Sequence, residues 1–194
     1  MTNDIQPKEI YARKDYMNLR TQLRKEIVDR KRKRRIDIGP YVTLYFENRD
    51  TIIHQINEMV FIENGGSEQI KEEITAYKSL VPNGSELVAT VMVEIDNPLK
   101  RSEALSKMGG FEERFLIKVN DRDIIGKAEL DVDRTTADGK ASSVQFVHFN
   151  FSDEDIKLFK NENSKVQLAI EHETYAHSTI LQDETKKELS GDFE

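Results

Sequence analysis

Apolar residues along this chain fall into two rhythms. In the first third they recur at steps of three and four. Pro7 is suited to a first helical position, where its missing N–H costs nothing and its fixed φ is already helical. From there Ala12, Tyr16, Leu19, Leu23 and Ile27 share one face, which predicts a long amphipathic helix. Gly39-Pro40 breaks it. Val42, Leu44 and Phe46 then alternate with Thr43, Tyr45 and Glu47, the period of a strand. Ile52, Ile53, Ile56, Met59 and Val60 predict a second helix, stopped at Asn64-Gly65-Gly66. Ser67 can cap a third, with Ile70, Ile74 and Tyr77 facing inward.

After the turn at Val81-Pro82-Asn83-Gly84 the rhythm changes to two. Leu87, Ala89, Val91, Val93 and Ile95 alternate. Asn97-Pro98 starts a short helix that Gly109-Gly110 stops. Phe115, Ile117 and Val119 alternate again. After the turn Asn120–Asp123, Ile124, Gly126, Ala128, Leu130 and Val132 make the partner of a hairpin. Thr136–Ser143 reads as a polar loop. Gln145–Phe151 reads as a strand buried on both faces, Ser152–Phe159 as a short helix, and Val166–Ile170 as a last strand running toward His172.

About six strands and five helices result, most strands joined by short turns. The expected architecture is therefore α+β: an N-terminal helical half on a mostly antiparallel sheet. One domain over residues 1–182 is expected, because the Val42–Phe46 strand cannot bury itself alone. Residues 183–194 read as a polar tail, frayed at the chain end.

The 194 residues contain no Cys, which excludes disulfides, thiolate nucleophiles and Cys-ligated zinc or iron–sulfur centres. No stretch is long and apolar enough to cross a membrane, and the first nine residues lack the apolar segment of a signal, so a cytoplasmic location is expected. Net charge is −7, unevenly spread: Arg24–Arg35 holds eight basic residues against Glu26 and Asp29.

Several blocks resemble a known family. Arg34-Arg35, Gly39, Phe46-Glu47-Asn48-Arg49-Asp50-Thr51, Gln55-Ile56 and Glu58-Met59 are similar to the signature of the bacterial domain-of-unknown-function family 3501. Ala89–Glu94 and Arg134–Phe151 resemble its later blocks, so the resemblance covers nearly the whole chain. The family brings no established activity. It implies an accessory role in redox or oxidative-stress metabolism, with a rubrerythrin-like or iron–sulfur protein as partner. No cofactor is expected for the chain itself, which without Cys cannot hold a Cys-ligated cluster.

Three candidate sites follow from the residues. The first is a polar set: Arg34, Arg35, Glu47, Asn48, Arg49, Thr51, Gln55 and Glu58. Asn48 or Asp50 can cap the second helix, which puts Thr51, Gln55 and Glu58 on one stripe beside its apolar face. Such a set could bind a polar ligand or partner, or could be a buried network fixing strand against helix. The second is the basic run. It could meet phosphates, but it lacks interleaved aromatics and the acidic remainder of the chain repels polyanions, so nucleic acid is disfavoured. The third is a metal set of His148, His172, His177 and Glu171 or Glu173, available if the strands of His148 and His172 pair. No nucleophile elbow surrounds Ser142, Ser143 or Ser178, and no phosphate-binding glycine loop is present.

Overall fold

The computed structural model describes residues 4–129, 135 and 139–193. The expected continuation of the hairpin through Leu130 and Val132, and most of the Thr136–Ser143 loop, lie outside the described residues. Eight strands form one antiparallel sheet: β1 (Arg35–Ile38), β2 (Val42–Glu47), β3 (Glu86–Val93), β4 (Phe115–Val119), β5 (Arg122–Ala128), β6 (Val144–Asn150), β7 (Val166–His172) and β8 (Tyr175–Ile180). Their order is β1-β2-β3-β6-β5-β4-β7-β8, and the sheet curls into a nearly closed barrel. The chain is α+β as expected, but with eight strands rather than about six. The two unforeseen strands, β1 and β8, are the ones that meet at the seam.

Alternation explains the barrel. Leu44 and Phe46, then Leu87, Ala89, Val91 and Val93, then Phe115, Ile117 and Val119, Val147 and Phe149, and Val166, Leu168 and Ile170 all point inward and share one core. No backbone ladder joins the edges β1 and β8 at the seam among the described residues. Tyr175 closes it instead, its hydroxyl donating to the Ile38 carbonyl at 2.6 Å. Gly39 permits this approach: its φ is +66°, and a Cβ there would sit 2.6 Å from the Tyr175 oxygen.

Each barrel end has a plug. At one end α4 (Pro98–Leu105) and the turn after it insert Leu105, Met108 and Phe111. At the other, α5 (Asp153–Lys160) and α6 (Asp183–Ser190) supply Phe159 and Leu189, joined by Phe151 and Phe193 in a cluster of edge-on rings. The segment expected to be a frayed tail is thus a helix with Leu189 fully buried. Lys186, also buried, donates to the carbonyls of Asn161 and Ser164 at 2.6 Å each.

Three helices cover one outer wall: α1 (Arg13–Lys33), α2 (Arg49–Ile62) and α3 (Ser67–Tyr77). Ile52, Ile56 and Val60 of α2 meet Val88 of β3, Leu80, Ile5 and Ile10 in a second, smaller core. Pro7 opens a 3-10 turn rather than α1. Ala12 is extended, so the helix starts at Arg13. Its apolar stripe is thinner than expected, with only Tyr16 and Ile27 buried, because α1 packs chiefly on α2. β6, expected to be buried on both faces, is fully buried only inside the barrel; Phe146 and His148 on its outer face are half-buried.

Candidate functional site: a cleft on the outer wall of the barrel

Glu47 ends β2 on the outer face of the barrel, one residue before the N-cap of α2. Asn48 is that cap: its side chain accepts from the Thr51 N–H at 3.0 Å, and the Thr51 hydroxyl accepts from the Asn48 N–H at 2.9 Å. The cap brings the Thr51 hydroxyl against the Glu47 carboxylate, to which it can donate. The Thr90 hydroxyl of β3 donates to the other Glu47 oxygen at 2.7 Å. Glu47 is 7% exposed and Thr51 fully buried. Among the described residues, no Lys, Arg or His forms an ion pair with Glu47; its two donors are neutral hydroxyls.

This carboxylate lies in the wall of a cleft of about 390 Å³ between the sheet and the helices. β2 also contributes Tyr45, β3 contributes Thr90 and Met92, and β6 contributes Val144 and Phe146. Gln55 of α2 and Tyr77 of α3 face each other across it, the Gln55 amide 3.5 Å from the Tyr77 hydroxyl. Burial holds the Tyr45 hydroxyl above the ordinary phenol range, so it stays a neutral donor. Lys31, from the last turn of α1, lines the same cleft. Its ammonium has no hydrogen bond or ion pair among the described residues.

The predicted polar set does not converge on one point. Glu47, Asn48 and Thr51 are in contact, and Gln55 joins Glu47 in the cleft. Glu58 departs from this stripe because α1 runs antiparallel along α2. Arg20 of α1 clamps Glu58 through two hydrogen bonds of 2.9 and 2.8 Å, and Tyr16 donates to it at 2.8 Å. The guanidinium of Arg20, with the Tyr16 hydroxyl, holds the Glu58 carboxyl down to about 2. Arg49 pairs with Glu9 at 2.6 Å. Arg35 lies on the exposed face of β1, 3.0 Å from Asp37.

Arg34 is buried and structural. Its Nε donates to the Phe46 carbonyl at 2.9 Å and one Nη to the Glu47 carbonyl at 3.1 Å, while its guanidinium also pairs with Asp192 and, at 3.4 Å, Glu188. It ties the end of α1 to β2 and to the chain end. Part of the basic run is used in the same way: Arg30 pairs with Asp50 and Lys33 with Glu184. Four of its eight cations therefore have carboxylate partners within the chain.

The metal set is not assembled. β6 and β7 are not neighbours in the sheet, since β5 and β4 lie between them, and His148 is on the outer face of β6 while His172 shares the inward face of Leu168 and Ile170. His172 is held by the Gly109 carbonyl and Thr174, His177 packs edge-on against Tyr175, and Glu171 lies 3.5 Å from Lys118. His148 sits between Glu86 and Glu129, at 3.1 and 3.6 Å, but these face opposite nitrogens of the ring and cannot share one ion with it. Among the described residues, no group of three His, Asp or Glu side chains could hold a metal.

Glu47, Thr51 and Gln55 were visible from spacing. Lys31 was visible only as part of the basic run, and Tyr45, Tyr77, Thr90, Met92 and Phe146 were not visible at all. Strand order and helix packing bring these together, and neither leaves a local mark in the sequence.

Comparison with known proteins sets the frame for this geometry. A family model described as "Protein of unknown function (DUF3501)" matches residues 4–193. A crystal structure of a novel protein of unknown function from Burkholderia pseudomallei K96243 is similar over 98% of this chain and 100% of its own, at 28% identity and a TM-score of 0.91. No curated protein matches the chain. No helix among the described residues is long and apolar enough to cross a membrane.

Proposed function

The chain belongs to the DUF3501 family, and from that premise, which brings no activity with it, we propose that it is a small-molecule-binding protein whose site is the outer-wall cleft. The observation that carries this reading is Glu47. A buried carboxylate without an ion-pair partner costs several kcal/mol, even after relaxation of its surroundings. Two hydroxyl donors return part of that cost, about 1.5–3 kcal/mol per bond to a charged group. Those two bonds tie α2 to β3, and the acceptor capacity they leave on Glu47 lies in the wall of the cleft. A ligand that bonds to it offsets the remainder.

The rest of the lining supports the same reading. Tyr45, Tyr77, Met92 and Phe146 offer apolar and aromatic surface, and Gln55 and the two tyrosines offer a few directed polar groups. That mixture and a volume of a few hundred cubic ångströms are typical of ligand pockets. The other polar recesses differ. In the one beside Tyr16, Arg30 is matched by Asp50 and Glu9 by Arg49. A cytoplasmic setting fits a chain without Cys. The redox partner implied by the family resemblance finds no selecting feature in this geometry, and the proposal does not depend on it.

A fragment screen followed by ¹⁵N NMR tests the reading. Binders are expected to shift the amides of Gln55, Tyr77, Thr90 and Phe146, and Gln55→Trp, which fills the mouth, is expected to abolish those shifts. Shifts scattered over other recesses and unaffected by Gln55→Trp would overturn it.

A further inference from the structure

We propose that the ligand of this cleft is a small zwitterion with an apolar or aromatic body, its ammonium bound by Glu47 and its acidic group by Lys31. This rests on the small-molecule reading above and names the ligand class. Each Glu47 oxygen accepts one threonine hydroxyl, and a carboxylate has lone pairs for about four donors, so acceptor capacity remains on the cleft side. An ammonium would fill it with charge-assisted bonds, stronger than those to neutral donors.

Lys31 supplies the opposite pole. It carries three donors, and none is used within the described residues. The two charges line one cleft yet stay more than an ion-pair distance apart. Thr51 and Thr90 hold Glu47 down on the sheet, while Lys31 is anchored on α1. A plain amine at Glu47 would be repelled by Lys31, and a plain acid at Lys31 would be repelled by Glu47. A molecule carrying both groups meets both attractions. Met92, Phe146 and Tyr77 provide the surface for its body.

Three probes of matched shape separate the poles: L-phenylalanine, phenethylamine, which lacks the carboxylate, and 3-phenylpropionate, which lacks the ammonium. NMR titration of the intact chain should show L-phenylalanine binding in the cleft at least about tenfold more tightly than either. Glu47→Gln should erase its advantage over 3-phenylpropionate, and Lys31→Met its advantage over phenethylamine. The ranking on the unmodified protein decides the matter even where a variant fails to fold. Equal binding of 3-phenylpropionate and L-phenylalanine overturns the assignment of Glu47. Equal binding of phenethylamine and L-phenylalanine overturns that of Lys31. In either case the cleft survives as a binding site. If none of the three perturbs cleft residues, the zwitterion proposal fails. The cleft reading itself falls only if the fragment screen also leaves the cleft untouched.

Discussion

The Tyr175 hydroxyl donates to the Ile38 carbonyl at 2.6 Å, joining the last strand of the barrel to the first where no backbone ladder does. The same oxygen lies 3.3 Å from the Tyr41 amide and can accept from it. One buried hydroxyl thus serves two main-chain groups at the seam. Tyr175→Phe leaves both without this partner and is expected to lower stability by about 1–3 kcal/mol, the cost of orphaning buried polar groups. Urea denaturation measures it. Gly39→Ala should lower stability as well, because its methyl would meet that oxygen.

Arg34 and Asp192 predict a larger effect. Burial pushes the Asp192 carboxyl up, and Arg34 pulls it only partly back. The pair is therefore weak as a source of stability but costly to break, because Asp192→Ala leaves a guanidinium that is 1% exposed with only the more distant Glu188, at 3.4 Å, as a carboxylate partner. A loss of about 3–5 kcal/mol is expected by urea titration. Replacing both partners with apolar residues, Arg34→Met with Asp192→Leu, should recover part of it.

These two contacts show which parts of the fold were legible. The alternating runs at 42–46, 87–93, 115–119 and 166–170 were readable because one face of each lines the barrel. β1 was hidden: it has four residues, two of them the charged, outward Arg35 and Asp37, directly after a helix. β8 was hidden because only Tyr175 among its six residues is fully buried, so it does not alternate. α6 holds one large apolar residue, Leu189, and depends on tertiary contacts that a local pattern cannot register. At the site, the spacing of Glu47, Thr51 and Gln55 was readable within one strand–helix unit. Thr90 and Phe146 come from strands far along the chain, and only the order β2-β3-β6 makes them neighbours.

Glu58 predicts an acid limb of stability. Its carboxyl is lowered from 4.5 to about 2, first by Arg20. A carboxyl lowered in the folded state contributes stability that is present above its unfolded value and lost as pH falls through the folded one. Urea midpoints of the wild type should therefore drop between about pH 4.5 and 2 more than those of Glu58→Gln. Parallel curves for the two proteins would show that the clamp contributes nothing.

His148 predicts the opposite sign. Its hydrogen bond to Glu86, against partial burial, raises the imidazole above its ordinary value of 6.5. Its contribution is then fully present below 6.5 and lost as pH rises through the folded value. The stability difference between wild type and His148→Asn should shrink as pH rises from 6 toward 9. The imidazole proton signals of the folded chain should titrate above 6.5.

Glu47 is a buried carboxylate whose side chain has only hydroxyl partners among the described residues, in the wall of a cleft. Crystals of the intact chain soaked with L-phenylalanine test its part in binding most directly. The account predicts density in the outer-wall cleft, with the ammonium within hydrogen-bond distance of Glu47 and the carboxylate toward Lys31. Density confined to other recesses, or a Glu47 carboxylate turned away from the bound molecule, would contradict it.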